Sequence, residues 1–170
     1  MKILTINNKK EEKFLRTKTA DFDFSKFSKK EINELLKQMK ETMIKANGIG
    51  LSANQIGLNF KFFIAQIPKI EGDKIIGEKF YAIFNPEIIK SSEKTSFVEE
   101  GCLSVPEIYG EVERPEKITL IGRDKNNKKI RIKAEGIEAR VFQHEIDHLN
   151  GILFIDKANG LHKIDNQNKQ

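Results

Sequence analysis

The segment from Ile137 to Leu149 constrains the fold of this chain more than any other stretch. It reads I-E-A-R-V-F-Q-H-E-I-D-H-L, and its apolar residues recur at helical spacing on two faces, so a helix here must be covered on most sides. His144 and His148 are four residues apart, which places both imidazoles on one face of that helix, one turn apart. Burying two histidines beside Glu145 would be costly without a partner, so the segment predicts a divalent metal ion held by the imidazoles.

The residues after His148 leave this metal site one ligand short. A catalytic ion needs a third protein ligand as well as an open position. Zinc peptidases with this pattern take a histidine or a glutamate further along the chain, but Phe154 stands at the histidine position and no glutamate follows Glu145. Asp156 and Asp165 remain as weaker candidates.

Cys102, the only cysteine, is the stronger candidate for the third ligand. It lies in E-E-G-C-L-S-V-P at 99–106, where Gly101 permits unusual backbone angles and Pro106 is expected to interrupt a strand. A thiolate is a good ligand for a borderline-soft divalent ion. A lone cysteine is more often a small buried apolar side chain, and the ligand shortage on the helix is what reverses this preference.

A glycine-rich stretch, G-I-G-L-S-A-N-Q-I-G at 48–57, carries a third candidate site. It lacks the third glycine of a dinucleotide-binding loop and the G-K-[ST] of a phosphate loop. We interpret it as a close-packed turn that presents Gln55, whose carboxamide could donate a hydrogen bond to a developing oxyanion.

The remaining pattern predicts an α+β fold, with antiparallel or mixed β-sheets around the helix that carries the two histidines and with an amphipathic helix near the N-terminus. Residues 28–46 place apolar side chains at steps of three and four, and Ser28 and Glu31 form a capping box. Strand-like runs follow at 60–67, 80–85, 117–122 and 129–134, the last two joined by the turn D-K-N-N-K as a hairpin. We expect 68–79 to be a surface loop or excursion.

The composition restricts the class of protein. A chain of 170 residues suits one domain, and its net charge of +5 is scattered rather than gathered into a basic patch interleaved with aromatic residues, which favours a solvated surface over a nucleic-acid site. There is no apolar run of about 18 residues and no signal-peptide pattern, so we expect neither a membrane span nor export. A single cysteine suits a reducing, cytoplasmic environment.

Three stretches together resemble the peptide deformylase family. They are G-I-G-L-S-A-N-Q at 48–55, E-G-C-L-S at 100–104 and Q-H-E-I-D-H at 143–148, and they stand in the family's order and spacing. The resemblance covers about residues 1–156, which we expect to be the catalytic domain, with 157–170 as a short polar tail that frays. Ser52 stands where alanine is more usual in the family.

The resemblance implies a metal-dependent hydrolase that removes the N-formyl group from formyl-methionine at the N-terminus of newly synthesised proteins and releases formate. It implies Glu145 as the proton-transfer residue, with the amide of Gln55 and the backbone N–H of Leu103 as oxyanion donors. The ion would be Fe²⁺, with Zn²⁺ or Ni²⁺ as alternatives. The implied metal ligands are Cys102, His144 and His148. By the family's motif positions, the methionine pocket is lined by Ile49, Gly50, Glu100, Val141 and His144.

The expected partners are formyl-methionyl nascent peptides, with a transient ribosome contact as a further possibility, and we expect neither a membrane nor specific DNA. Arg114 is expected to support the loop after Pro106 through Glu100, and His162, outside every motif, to be dispensable.

Two rival functions stay open. One is a metalloprotease with the H-E-x-x-H pattern that cleaves internal peptide bonds, and the other is a metal-stabilised module that binds RNA or the ribosome. Metal content and formate release from a formyl-methionyl peptide distinguish the three.

Overall fold

The computed structural model of the protein describes residues 1–164, in which three α-helices form. Helix α1 is Lys9–Leu15 and helix α2 is Lys29–Lys45, which begins at a capping box formed by Ser28 and Glu31. Helix α3 is Gly136–Leu149 and contains both histidines of the Q-H-E-I-D-H segment. None of the helices within residues 1–164 is long and apolar enough to cross a membrane.

The larger sheet has five antiparallel strands in the order β1-β2-β3-β6-β7. These strands are β1 (Gly50–Ser52), β2 (Phe62–Glu71), β3 (Lys74–Ser91), β6 (Lys117–Arg123) and β7 (Lys129–Glu135). The run F-F-I-A at 62–65 is apolar without alternation because both faces of β2 are covered. Phe62 and Ile64 pack with α2, whereas Phe63 and Ala65 pack with α3.

The smaller sheet has three strands in the order β4-β5-β8, namely β4 (Thr95–Cys102), β5 (Val105–Pro115) and β8 (Asn159–Lys163). A separate apolar cluster lies against this sheet, and it includes Leu15 from α1, Val112 from β5 and Phe154 from a short 3-10 turn. Strands β1 and β4 are edge strands of their sheets, so each leaves one side unpaired within its sheet.

The prediction of an α+β fold with antiparallel sheets is confirmed, and so is the hairpin around D-K-N-N-K, which is β6 paired with β7. Of the two alternatives for 68–79, the surface loop is wrong, because β2 and β3 continue through this segment and pair as far as Glu71 with Lys74. The residues E-G-D-K form a tight turn there, with Gly72 at φ +58°, and Pro68 is tolerated because no third strand pairs beside this ribbon.

Two further expectations need correction. Pro106 does not interrupt a strand, because it lies in β5 at a bulge, between Val105, which pairs with Cys102, and Tyr109, which pairs with Gly101. The prediction that the tail after Asp156 frays is wrong for Asn159–Lys163, which form β8 and pair with β5, and residues 165–170 lie outside the described part of the chain. A polar sequence can form such a strand because its backbone hydrogen bonds do not depend on apolar side chains. The domain boundary at residue 156 remains a prediction.

Candidate active site

Three side chains that could hold a metal ion meet where α3 passes the end of β4. Cys102, His144 and His148 each offer one ligand atom, and these atoms all lie within 4.8 Å of one another. The Cys102 Sγ is 3.1 Å from the His148 Nε2, and the two imidazole rings are 4.9 Å apart between centroids. One thiol and two imidazoles form a donor set that suits zinc, iron or nickel, so the residues present fit a divalent ion.

The protonation state of Cys102 favours metal binding, whereas that of His144 requires the ion to displace a proton. Burial opposes the thiolate, but the imidazoles of His148 and His144 hold the pKa of Cys102 well below its usual value. Burial likewise opposes a charged His144, yet its contacts with Cys102 and Glu100 raise the pKa of His144 to about 10. A thiolate is the form in which cysteine binds metals, and a bound cation would in turn displace the proton from the imidazole.

Glu145 lies next to this group without belonging to it. Its side chain is buried, with only 3% of the residue exposed, and among residues 1–164 its Oε2 has no hydrogen-bond partner. Burial is the largest influence on this carboxyl and raises the pKa of Glu145 to about 7. A buried carboxyl with a free oxygen and a pKa near neutrality is suited to accept and return a proton.

Gly50 on β1 makes room for this carboxyl. A Cβ built on Gly50 would lie 2.8 Å from the Glu145 Cδ, which is closer than real Cβ contacts come. Glycine at this position therefore lets β1 and α3 approach one another across the carboxylate.

Gln55 is held with its amide nitrogen towards Cys102. It lies in the 3-10 turn Ala53–Ile56, and its Oε1 accepts hydrogen bonds from the Ser52 backbone N–H at 2.9 Å and from the Ser52 hydroxyl at 3.0 Å. Its Nε2 is 3.5 Å from the Cys102 Sγ and donates to the Ser104 hydroxyl at 3.1 Å. Ser52, noted in the sequence only as a departure from the family, thus fixes which end of the amide faces the site.

A buried network of charges lies behind His144. Glu100 accepts from Arg114 through both oxygens, at 2.6 and 3.0 Å, and its Oε2 is 2.9 Å from the His144 Nδ1. Arg114 also donates to Asp147 at 2.8 Å, and Arg140 donates to Glu100 at 2.7 Å. Burial opposes the charge on Glu100, but its contacts with His144 and Arg114 hold the pKa of this carboxyl well below its usual value.

The contact between Arg114 and Glu100 is predicted from the sequence, whereas the contacts of Arg140 and Asp147 are not. Both lie on α3 among apolar residues, and the only local signal was that a charged residue on a helix covered on most sides must find a buried partner.

A cleft of about 690 Å³ opens beside the metal-ligand group, between the edge strands β1 and β4. Its walls include every residue expected in the methionine pocket, namely Ile49, Gly50, Glu100, Val141 and His144. Gln55, Cys102, Leu103 and Glu145 also line it. Residues from three separate motifs therefore share one cavity.

The weaker ligand candidates lie elsewhere. The carboxylate of Asp156 pairs with Arg16 at 2.9 Å, and Asp165 falls outside the described residues. Phe154 is buried, with its ring stacked 6.3 Å from that of His144. His162 on β8 is 3.2 Å from Glu99, a residue of the cleft rim, so it is not isolated from the site.

Comparison with known proteins gives a consistent result. The family model for polypeptide deformylase matches residues 1–164. A peptide deformylase of Rhizobium meliloti (strain 1021) is 48% identical over 127 residues, which cover 74% of this chain and 70% of that protein. A peptide deformylase of Halothermothrix orenii is 46% identical over 124 residues, covering 73% of this chain and 75% of that protein.

Two solved structures have similar folds. A probable peptide deformylase from Synechococcus phage S-SSM7 has a TM-score of 0.80 at 41% identity, covering 92% of this chain and 99% of that one. A class I type b peptide deformylase from Acinetobacter baumannii, solved with Met-Ala-Ser bound, has a TM-score of 0.82 at 28% identity, covering 92% and 97%.

Proposed function

Because this chain belongs to the polypeptide deformylase family and is a peptide deformylase, we propose that the cleft between β1 and β4 is where it removes the formyl group from formyl-methionyl N-termini. The observation that carries this assignment is the meeting of three motifs in one cavity, with the carboxyl of Glu145 and the amide of Gln55 beside the Cys102, His144 and His148 group. Helix α3 is the central element of the site in this proposal.

Cys102, His144 and His148 would hold one divalent ion. The contact of His144 with Glu100 supports this role, because a hydrogen bond to the second ring nitrogen of a ligating histidine fixes the orientation of its ring. We propose Fe²⁺ as the resident ion, with Zn²⁺ or Ni²⁺ as alternatives, since imidazole and thiolate ligands suit all three. When bound, the ion supplies a Lewis acid that polarises water and the formyl oxygen.

Glu145 transfers the proton. As the attacking water adds to the formyl carbon, the carboxylate of Glu145 takes one of its protons. When the C–N bond breaks, the same group returns that proton to the methionine nitrogen, so that formate and a free amine are produced. Its buried position and its pKa near 7 support a role as both base and acid.

Gln55 and the backbone N–H of Leu103 stabilise the charge that develops on the former formyl oxygen. Because the Oε1 of Gln55 is anchored by Ser52, its Nε2 is pre-oriented towards the reacting group. A donor that is already in place when the charge forms is worth about 3 kcal/mol in comparable oxyanion holes.

The peptide would bind as an extended strand between the two edge strands, with its methionine side chain against Ile49, Gly50, Glu100, Val141 and His144. The A. baumannii neighbour was solved with Met-Ala-Ser bound, which supports a peptide that begins with methionine as a ligand of this fold. We expect the substrates to be nascent chains in the cytoplasm, reached through a transient contact with the ribosome.

The test is to measure bound metal together with formate release from formyl-Met-Ala-Ser. We expect one metal ion per chain and stoichiometric appearance of formate and free amine. Cleavage between Met and Ala without formate would indicate a peptidase instead. Metal binding without either reaction would indicate a metal-stabilised binding module.

A further inference from the structure

Arg140 is a buried cation for which the proposed reaction has no use. It lies on α3, one helical turn before His144, and only 8% of it is exposed, at the wall of the cleft. Burying an arginine removes it from water at a cost of several kcal/mol, which must be offset by hydrogen bonds. The hydrogen bonds that Arg140 makes therefore indicate its role in the site.

The guanidinium of Arg140 reaches in two directions. Its Nη1 donates to the Glu100 Oε1 at 2.7 Å and to the Val112 carbonyl at 3.0 Å. Its Nη2 donates to the carbonyl and the hydroxyl of Ser96, at 2.8 and 3.1 Å. One side chain on α3 thus bonds to both β4 and β5 of the smaller sheet.

The first direction leads to the proposed metal ligand. Glu100 is shared by Arg140 and Arg114 on one side and contacts the His144 Nδ1 at 2.9 Å on the other. Arg114 is itself held by Asp147 at 2.8 Å. Without Arg140, Glu100 would keep its two bonds to Arg114 but lose one of the three arginine hydrogen bonds that fix the orientation of its carboxylate beside His144.

The second direction leads to the wall of the cleft. Ser96 belongs to β4, an edge strand, and Val98 and Glu99 on the same strand line the cavity. On its open side β4 has no neighbouring strand to fix its distance from α3. The hydrogen bonds of Arg140 to Ser96 supply such a tie.

We propose that Arg140 is a positioning residue for both halves of the site. Through Glu100 it fixes the orientation of His144, and through Ser96 it sets the distance between β4 and α3, and hence the width of the cleft. This inference rests on the proposed assignment of Cys102, His144 and His148 as metal ligands. It adds that metal affinity and substrate affinity both depend on one residue that is not itself a metal ligand.

The test compares Arg140→Met and Arg140→Lys with the wild-type enzyme and with Arg131→Met, an exposed arginine on β7, as the control. Four quantities are measured for each protein. They are the metal dissociation constant by chelator competition, the visible absorption spectrum of the Co²⁺-loaded protein, KM and kcat at saturating metal, and the melting temperature.

For Arg140→Met we expect metal binding to weaken about 10- to 100-fold, as is usual when the hydrogen-bond support of a ligand is lost, and the Co²⁺ spectrum to shift. KM should rise several-fold, while kcat at saturating metal should change much less. Arg140→Lys keeps the charge but lacks the planar fork, so we expect it to recover only part of both affinities. Arg131→Met should match the wild type in all four quantities.

A lower melting temperature with unchanged metal affinity, Co²⁺ spectrum and KM would overturn the inference and leave Arg140 a purely structural residue. If Arg140→Met does not fold, Arg140→Lys decides, because wild-type affinities in that variant would also overturn it. The wild-type measurements keep the two hypotheses apart. A wild-type protein that binds metal and releases formate retains the proposed function even if Arg140 is irrelevant, whereas one that does neither refutes both.

Discussion

Glu145 is the residue whose substitution can separate metal binding from catalysis. It adjoins His144 in sequence but stands apart from the three-residue ligand group, so its loss should not empty the site. We expect Glu145→Gln to stay folded, to bind one metal ion per chain and to lose more than about 10⁴-fold in kcat, because one group serves as both base and acid. KM should change little. Retention of most of the turnover would require another base.

The pH dependence of the reaction should report the same carboxyl. Burial raises the pKa of Glu145 from 4.5 to about 7 in the protein without an ion, and a bound cation nearby favours the ionised form and so lowers it again. The base form accumulates as pH rises, so kcat/KM should rise with pH along a limb centred below about 7. The metal-loaded enzyme should be assayed from pH 4 to 8. A kcat/KM that falls with rising pH across this range would contradict the assignment.

Gln55 allows the oxyanion contribution to be measured separately. We expect Gln55→Ala to lower kcat about 10²-fold and to leave the bound metal in place, which is the usual effect of losing one oxyanion donor. Gln38→Ala is the control, because Gln38 is exposed on α2 and bonds to Glu34. If Gln55→Ala lost its metal instead, the amide would be supporting Cys102 and not an oxyanion.

Some residues of the site could be predicted from the sequence and others could not. Cys102, His144 and Glu145 were identified because their chemistry is unusual enough to require an explanation from the sequence alone. Arg140 and Asp147 were not, because their burial depends on Glu100 and Arg114, which lie 33 to 40 residues away along the chain. Lysines and arginines on the surface have the same local pattern.

At the scale of elements, the approach of β1 to α3 depends on a missing side chain. An added Cβ on Gly50 would collide with the carboxyl of Glu145, so Gly50→Ala must displace either the strand or the base. We expect a loss of kcat of at least about 10²-fold, comparable to misplacing a catalytic group by 1 Å, with metal content unchanged. Metal analysis and steady-state kinetics check this. A normal kcat accompanied by a raised KM would show that the alanine only obstructs substrate.

The helices and strands that could be predicted have apolar residues at regular spacing, because one or both of their faces are buried against other apolar residues. Helix α2 and strands β2, β3, β6 and β7 have such patterns. Strands β4 and β5 do not, because the inward-facing side chains at Glu100 and Arg114 are charged and pair with each other. The ribbon that extends β2 and β3 was missed for a related reason. Lys69 and the residues from 71 to 79 are exposed, so no alternation of apolar and polar residues marks the ribbon.

At the scale of the whole molecule, the site joins parts of the fold that pack around separate apolar clusters. Cys102 ends β4 in the smaller sheet, whereas His144 and His148 lie on α3, which packs on the larger sheet. The three motifs could be identified in the sequence, and the family resemblance indicated that they form one active site. Periodicity alone could not have shown that they meet, because the contacts between the two sheets depend on packing over the whole chain.

An ion held by Cys102, His144 and His148 would therefore connect the two sheets, and removing it should weaken the whole fold. Binding that is specific to the folded state stabilises it by about 2.7 kcal/mol when free metal is 100 times its dissociation constant. For a chain of this size, that corresponds to a rise in melting temperature of roughly 5–10 °C. We expect chelation to lower the melting temperature of the wild type by this amount and re-addition of metal to restore it.

Cys102→Ala should show no metal-dependent shift in melting temperature, and Cys102→Asp should show a smaller one, because a carboxylate also coordinates these ions. His162→Ala should keep the full shift, because its exposed contact with Glu99 contributes little to stability. A full shift in Cys102→Ala would mean that the ion is held without the thiolate and that the smaller sheet takes no part in binding it.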